Sequence, residues 1–422
     1  RQADMATAST TVTTSGTSVA NIWRIVQGEL AQGIQFENDE WNMVDDFVPP
    51  EGLPFSARSV TIPVDMIEGA GIASIPEGGV EARESSPNVR EITVTMQQFN
   101  GRFNASLLAE YADKGDAQVK RQLLYQGGHK IRDLSRHFSD YFYGTSNAYL
   151  AQASATQTQT TMTITLQGGY GVSGITDGPF IANKFKVSDW VAVINGGALV
   201  TNAIGQVTAV TTAPRIVVVF NGSTTVTSAD YIVKANSKGN TTIAHTDYSR
   251  GLVGMIDITT TASVHGLSSS TDGNWDVAYS DTTTGRFNGL EVIRAEDEIA
   301  NEGGGKVTHI LIDQGVRRDW INYERQALRF SDPMSMETDG SIKSKGRKIV
   351  ASKRVPPGYV YTFDKSSMSK WTLLPKPDGK FSWGEGKEYI DENAKVFRID
   401  MPVGLICRNR RKLTYFTGKQ TA

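Results

Sequence analysis

Two runs of strict alternation, "SVTIPVDM" (residues 59–66) and "VREITVTM" (89–96), flank about twenty residues rich in glycine, proline and charge. Val60, Ile62, Val64 and Met66 fall on one side of the first run. In the second, Ile92, Val94 and Met96 alternate against Arg90, Glu91, Thr93 and Thr95. A period of two marks a half-buried strand, so the pair predicts a long hairpin arm whose tip has no hydrophobic face. A lone two-stranded ribbon is marginal in water. The hairpin must therefore pack on its own domain or be completed by another subunit, and that choice governs what the whole chain can be.

The rest of the chain has material for ordinary cores. Its 422 residues are 39% hydrophobic, enough for two or three domains. Lys and Arg number 43 against 45 Asp and Glu, a net charge of -2, so the molecule as a whole is no polyanion binder and any nucleic-acid contact must be local. The single cysteine, Cys407, rules out an internal disulfide framework and reads as a buried hydrophobe. No stretch approaches the roughly 18 consecutive apolar residues of a membrane span.

Residues 6–18, "ATASTTVTTSGTS", are too poor in apolar groups to fold alone and predict an arm. Over residues 1–50 seven acids oppose two arginines, with Trp23, Phe36, Trp41 and Phe47 as scattered anchors. Such a segment suits the surface of a neighbour better than a core of its own.

After the hairpin, "NGRFNASLLAEYADKGDAQVKRQLLYQGGHKIRDLSRHFSDYFYG" changes to helical spacing. Asp113 or Asp116 can cap its start and Gly144 its end. Leu123, Leu124, Ile131, Leu134, Phe138, Tyr141 and Phe142 recur at threes and fours, which predicts a spine helix of roughly 28 residues, about 42 Å long. Gly127 and Gly128 should bend it or admit a close crossing partner.

No glutamate occurs between Glu110 and Glu291, and Thr, Val, Gly and Ser dominate there. Five short strands, "TMTITL", "DWVAVI", "GQVTAV", "RIVVVF" and "DYIVKA", predict a small β-barrel or sandwich inserted over residues 156–248. Then "GLEVIRAEDEIANEGGG", "KVTHILID" and "VRRDWINYERQALRF" predict helix, strand and helix in a compact α+β unit. The C-terminal part returns to strands that must pair with earlier ones.

Catalytic signatures are absent from the sequence. The five histidines, at 129, 137, 245, 265 and 309, are scattered, with no HExxH or CxxC. Asp133 and His137 stand one helical turn apart, a spacing open to a shared metal but better explained by a solvated ion pair. "GGGKVT" at 303–308 has helix before it and strand after it, the reverse of a phosphate loop, and reads as a helix stopped at Gly303. No GxSxG elbow occurs, and no histidine lies near Cys407 in sequence. The expectation is no catalytic residue, no metal and no cofactor.

Two basic runs remain. Lys343, Lys345, Arg347 and Lys348, continuing through Lys353 and Arg354, form one; Arg408, Arg410, Arg411 and Lys412 form the other. Either could face phosphate. Either could equally receive the acidic arm of a neighbouring copy, and thin aromatic interleaving argues against sequence-specific or single-strand recognition.

The run "IPEGGVEARESSPNVREITVTMQQFNGRFNASLLAEYAD" resembles the tailed-phage major capsid proteins of the Hong Kong 97 type. "EGG" at 77–79 stands in the place of that family's acidic-glycine turn, and Ser106, Leu107 and Leu108 in that of its small segment before the spine helix. "GLEVIRAEDEIANEGGGKVTHILIDQGVRRDWINYE" is similar to its peripheral-domain helix, strand and helix, and "GLICRNRRKLTYFTG" to its closing strands.

The resemblance implies an α+β capsid fold divided into an N-terminal arm (1–54), an extended hairpin loop (55–102), the spine helix and start of a peripheral domain (103–155), an inserted β-rich domain (156–248) and the axial domain with the remainder of the peripheral domain (249–422). It further implies a homo-oligomer of hexamers and pentamers in an icosahedral virion shell, assembled in a host cytoplasm around double-stranded DNA. The DNA would be touched non-specifically. Portal, scaffold or decoration proteins would be partners, and no membrane would be involved. Within the shell the hairpin would lie over an adjacent subunit, which supplies the packing it lacks.

Some members of that family join their loops through a lysine, yet residues 49–113 of this chain contain none; Arg58, Arg83, Arg90 and Arg102 stay protonated and cannot form the bond. A non-covalent shell is expected. Glu81, Arg83, Glu84, Arg90 and Glu91 alternate in sign and suit reciprocal contacts between subunits. The alternatives are an encapsulin-like compartment and a β-rich surface-binding protein whose barrel is the active part.

Overall fold

The computed structural model describes residues 50–53, 59–67, 77, 88–95, 97–106, 133, 136, 139–144, 149–235 apart from 173, 197, 212 and 213, 251–256, 263–269, 274–327, 342–344, 347–373, 382–383, 387–388 and 394–421. The arm of residues 1–49, most of the expected spine helix, and Glu81, Arg83, Glu84, His137 and Lys345 lie outside them. The chain divides into two units.

In the smaller unit, the first part of the long strand Ala394–Cys407 pairs with Ser382–Trp383, with Lys387–Glu388 and with Gln97–Ser106. In the larger unit, the end of that strand pairs antiparallel with Met368–Leu373, which pairs parallel with Pro50–Leu53.

The hairpin belongs to the larger unit. β1 (Ser59–Ile67) and β2 (Asn88–Thr95) pair antiparallel, with Val60 opposite Val94 and Ile62 opposite Ile92. Alternation puts the apolar side chains of both strands on one face, as the sequence predicts.

A closed six-stranded barrel follows. Its strands are β3 (Ala151–Ala153), β4 (Gln157–Gln167), β5 (Trp190–Asn195), β6 (Ala198–Thr211), β7 (Arg215–Val226) and β8 (Tyr231–Lys234), in the order β8-β3-β4-β7-β6-β5 around the ring. All five strands expected in this block are present; β3, only three residues of Ala and Gln, has no legible period. Met162, Ile164 and Leu166 of β4 point inward while Thr161 and Thr163 face solvent. Register shifts interrupt the β4–β7, β5–β6 and β6–β7 pairings, and such bulges bend strands enough to close a small ring. Closure leaves the barrel no open edge.

The remaining layer is a six-stranded mixed sheet carrying two helices. Its strands are β9 (Tyr279–Asp281), β10 (His309–Ile312), β11 (Ile342–Ser344), β12 (Arg347–Ala351), β13 (Val360–Phe363) and β14 (Leu413–Phe416), ordered β9-β14-β13-β10-β12-β11. Helix α1 (Gly289–Gly303) begins at Asn288, whose side chain accepts from the N–H of Leu290 at 2.9 Å and of Glu291 at 3.2 Å. It ends one residue later than its sequence suggests, with Gly304 at φ 61° closing the last turn. Helix α2 (Gln314–Ala327) is capped by Asp313, which accepts from Gly315 and Val316.

Val292, Ala295 and Ile299 of α1 and Val316 and Trp320 of α2 meet Ile310, Ile312, Ile349 and Val360 of the sheet in one core. Phe287 wedges edge-on against Trp320 and Phe416. Residues 139–143 are helical and the backbone turns at Gly144, where the spine helix is expected to stop. Gly251 packs against that end so closely that a Cβ would collide with the carbonyl oxygens of Tyr141, Phe142 and Gly144.

Candidate functional site

The root of the hairpin corrects the expectation that its packing comes only from neighbours. Ile92, Val94 and Met66 are buried against Leu267, Trp275 and Ile406 of the same chain, with Val60, Ile62 and Val64 packed beside them. These partners lie some two hundred to three hundred positions further along the sequence, out of reach of local pattern. Polar contacts fix the root as well. Asn274 Nδ2 donates to Met66 O at 2.5 Å, and Trp275 Nε1 donates to Val264 O at 3.1 Å.

A tight turn joins these pieces. Val264 and Leu267 exchange backbone hydrogen bonds around His265 at φ 54° and Gly266 at φ 90°. The carbonyl of His265 accepts from Thr93 N at 3.1 Å, and its Nε2 accepts from the backbone N–H of Cys407 at 3.1 Å. The acceptor role assigns the ring proton to Nδ1. One residue thus ties the hairpin to the end of the long strand.

Arg90 and Glu91 are exposed on β2, opposite Val64 and Pro63, while the cover on the apolar face continues to Met66. Val89 beside them is 46% exposed. Glu81, Arg83 and Glu84 fall outside the described residues.

The basic runs divide by backbone geometry. Arg347 and Lys348 are consecutive in β12 and must face opposite sides of the sheet. Arg347 turns toward the helices, is buried and forms an ion pair with Glu296 of α1. Lys348 is aligned between Lys343 of β11 and His309 of β10, which places three basic-type residues in one cross-strand row. Arg347 thereby leaves the set of four as an internal residue, and Lys345 lies outside the described residues.

In the second run Arg408 is exposed, Arg411 and Lys412 are half-buried and Arg410 is internal. Arg410 is 1% exposed and its guanidinium donates to three carbonyls, those of Met255 at 2.8 Å, Trp275 at 2.9 Å and Ile256 at 3.0 Å. Arg411 donates to Asn274 Oδ1 at 2.6 Å and lies 3.3 Å from Glu302, and Lys412 reaches Ser366 Oγ at 3.3 Å. Arg354 is also engaged, in an ion pair with buried Asp140. Beside it, Lys184 is buried over the rings of Tyr170 and Phe180, and burial holds its pKa well below the ordinary lysine value, with Asp140 opposing and Arg354 adding to that effect. These are joints of the body, and Tyr170 Oη completes this one by donating to Arg354 O at 3.0 Å.

Cys407 and His265 form the one cysteine–histidine approach in the described residues, and it is not an activated pair. The imidazole accepts the backbone N–H rather than the thiol proton. Burial pushes the thiol up to about 12, outweighing nearby Arg410, whereas a nucleophilic cysteine needs its pKa lowered. Among the described residues no group of three or more His, Cys, Asp or Glu could hold a metal ion. What the arrangement offers is a hairpin seated in the body, with Val89, Arg90 and Glu91 exposed on β2.

No protein-family model matches the chain, and neither does any curated protein. Solved structures do. The capsid asymmetric unit of cyanophage A-1(L) superposes with a TM-score of 0.52 at 9% identity, covering 92% of this chain and 95% of that one. The capsid of Myoviridae phage XM1 gives 0.45 at 7% identity over 92% and 95%. The holo-SrpI encapsulin complex from Synechococcus elongatus PCC 7942 gives 0.42 at 9% identity over 94% and 95%. Only the first of these scores is high enough to bear on architecture, and at such low identity it speaks of the fold alone. The chain therefore has the fold of a phage capsid protein, the Hong Kong 97-type architecture that its hairpin, helix and closing-strand motifs resemble.

Proposed function

We propose that this chain is the repeating subunit of a closed icosahedral capsid that encloses double-stranded DNA, built from hexamers and pentamers and held without covalent cross-links. The observation that carries this reading is the near full-length likeness to a capsid chain, 92% of one and 95% of the other. The hairpin adds to it. Its strands are seated in the body by Trp275, Leu267 and Ile406 as far as Met66, while Val89, Arg90 and Glu91 of β2 are exposed. An arm rooted in this way can reach an adjacent copy without being a folding unit of its own, and head-to-tail contacts of that kind close into rings.

We read the barrel of residues 151–234 as an inserted domain that braces neighbouring subunits, a reading its closed form supports. With Arg347 buried, Lys343, Lys345 and Lys348 remain the candidates for contact with DNA or with the acidic arm of a neighbour. No catalytic role is assigned. Purification of particles and analysis of their contents tests the reading: nuclease-protected double-stranded DNA supports it, a protein cargo in its place moves the chain to the encapsulin-like alternative, and a lone monomer with a ligand-binding barrel contradicts it.

A further inference from the structure

Barrel and body meet at a buried joint. The connection from β4 to β5 leaves the barrel wall through a short loop in which Gly168 at φ 58°, Tyr170 at φ 55° and Gly171 at φ 78° are left-handed. That conformation is unfavourable for a residue with a Cβ, so a tyrosine stays in it only where its surroundings hold it. Tyr170 is held from three sides. Its N–H donates to Leu150 O at 3.0 Å, its buried ring stands edge-on to Phe180, and its hydroxyl donates to Arg354 O, beyond β12, at 3.0 Å. The same connection carries Lys184, which is 4% exposed, with Nζ 2.8 Å from the centre of the Tyr170 ring and 4.3 Å from that of Phe180.

Among the described residues, the charged and titratable groups that act on this amine are Asp140 in the helical segment 139–143, Arg354, and the phenol of Tyr170. Asp140 is already ion-paired with Arg354. A protonated Lys184 thus meets a carboxylate that another cation engages, and the two ring faces replace only part of the hydration it has lost. A neutral amine fills the same space without that desolvation. Burial, the largest influence, holds the lysine well below its ordinary value; Asp140 opposes this and Arg354 adds to it. We propose that the joint is a proton-coupled latch, in which Lys184 gives up its proton as the Tyr170 loop seats the barrel on the body and takes it back when the barrel lifts.

With the barrel lifted, the amine is in water and keeps its ordinary pKa of about 10.4. Seating lowers it. Between the two values the seated state holds fewer protons, so the latch tightens as pH rises, by up to about tenfold in its closing constant per pH unit. Below the seated value both states are protonated and the dependence ends. The latch belongs to the single subunit and operates whether or not subunits form a shell.

Lys186 is exposed two positions further on, so one peptide carries both the buried amine and a reference. Acetic anhydride labelling of the full chain from pH 6 to pH 11, read by fragment mass spectra, is expected to show Lys184 reacting slowly, with a pH profile that levels off at lower pH than that of Lys186. In Tyr170→Ala, which opens the ring cover, the two profiles are expected to converge while Cys407 stays closed to thiol reagents at pH 8, the sign of an intact body. Urea unfolding gives an independent measure. The unfolding constant of the parent relative to Lys184→Met is expected to fall at least about threefold from pH 7 to pH 10, since only the parent gains by losing this proton. Parallel profiles for Lys184 and Lys186 in the parent, a displaced profile that survives Tyr170→Ala, or an unfolding ratio that does not fall overturns the latch. Where a variant fails to fold, the two profiles in the parent decide alone.

Discussion

Arg410 Nε donates to Met255 O at 2.8 Å, across 155 positions of sequence, and its two other donors reach Trp275 O and Ile256 O. Met255 and Ile256 end the short helix Leu252–Ile256, whose last carbonyls have no partner within the helix. Trp275 belongs to the cover of the hairpin root. A single guanidinium thus joins the closing strands, the helix end and the seat of the hairpin.

Replacing this side chain leaves buried carbonyls without donors, each costing about 1–3 kcal/mol. Arg410→Met is expected to destabilise the subunit by roughly 3 kcal/mol or more, and Arg410→Lys by a similar amount, since one ammonium cannot copy the three-way fork. Urea unfolding of the soluble subunit measures this. An Arg410→Met midpoint within error of the parent would show that the run "RNRRK" is surface after all.

Lys419 Nζ lies 2.8 Å from Asp281 and 2.9 Å from Glu291 and is nearly fully buried. Burial pushes the Asp281 carboxyl up, but hydrogen bonds from Lys419 and Thr283 outweigh it and hold the group down at about 2. A depressed carboxylate stabilises the fold fully above its unfolded value, about 3.9, and the stabilisation fades as pH falls toward 2. Lys419→Met, which breaks a buried pair, is expected to cost on the order of 3 kcal/mol near neutral pH. It should also flatten the decline in melting temperature between pH 4 and pH 2, which thermal scans of parent and variant compare directly.

Cys407 gives a test of packing. With its thiol buried and raised to about 12, it is expected to resist alkylation at pH 8 in the folded protein and to react fully in denaturant. Rapid labelling of the native subunit would mean that the strand ending at Cys407 is not seated against the His265 turn.

How much of this was legible in the sequence depends on the range of the cause. The barrel strands show in the alternation of Thr with Val and Ile, because each strand's two faces meet different surroundings. The helix, strand and helix of residues 289–327 show equally, since Asn288 and Gly304 mark the ends of α1 locally. The hairpin strands were readable but their cover was not, because Leu267, Trp275 and Ile406 reach them only through the tertiary fold. Basic runs misled for a related reason. Charge adjacent in sequence is split by strand alternation at Arg347 and Lys348, and Arg410 carries no local mark of the carbonyls that capture it, apart from the buried strands on either side.

The lysine-free stretch from residue 49 to 113 predicts that particles boiled in detergent release only single chains, without ladders of linked subunits. If ion pairs at the hairpin tip help lock the shell, Arg83→Ala with Arg90→Ala lowers its heat and salt tolerance. Each exposed pair contributes only about 0–1 kcal/mol, but the loss repeats at every subunit. Unchanged tolerance in the double variant would remove those arginines from the account.

Electron microscopy of the purified full chain under assembly conditions tests the central claim most directly. The account predicts hollow polyhedral particles in which the hairpin of each subunit lies along a neighbour. A population of solitary, well-folded molecules at every concentration, with the hairpin closed against its own body to the tip, would contradict it.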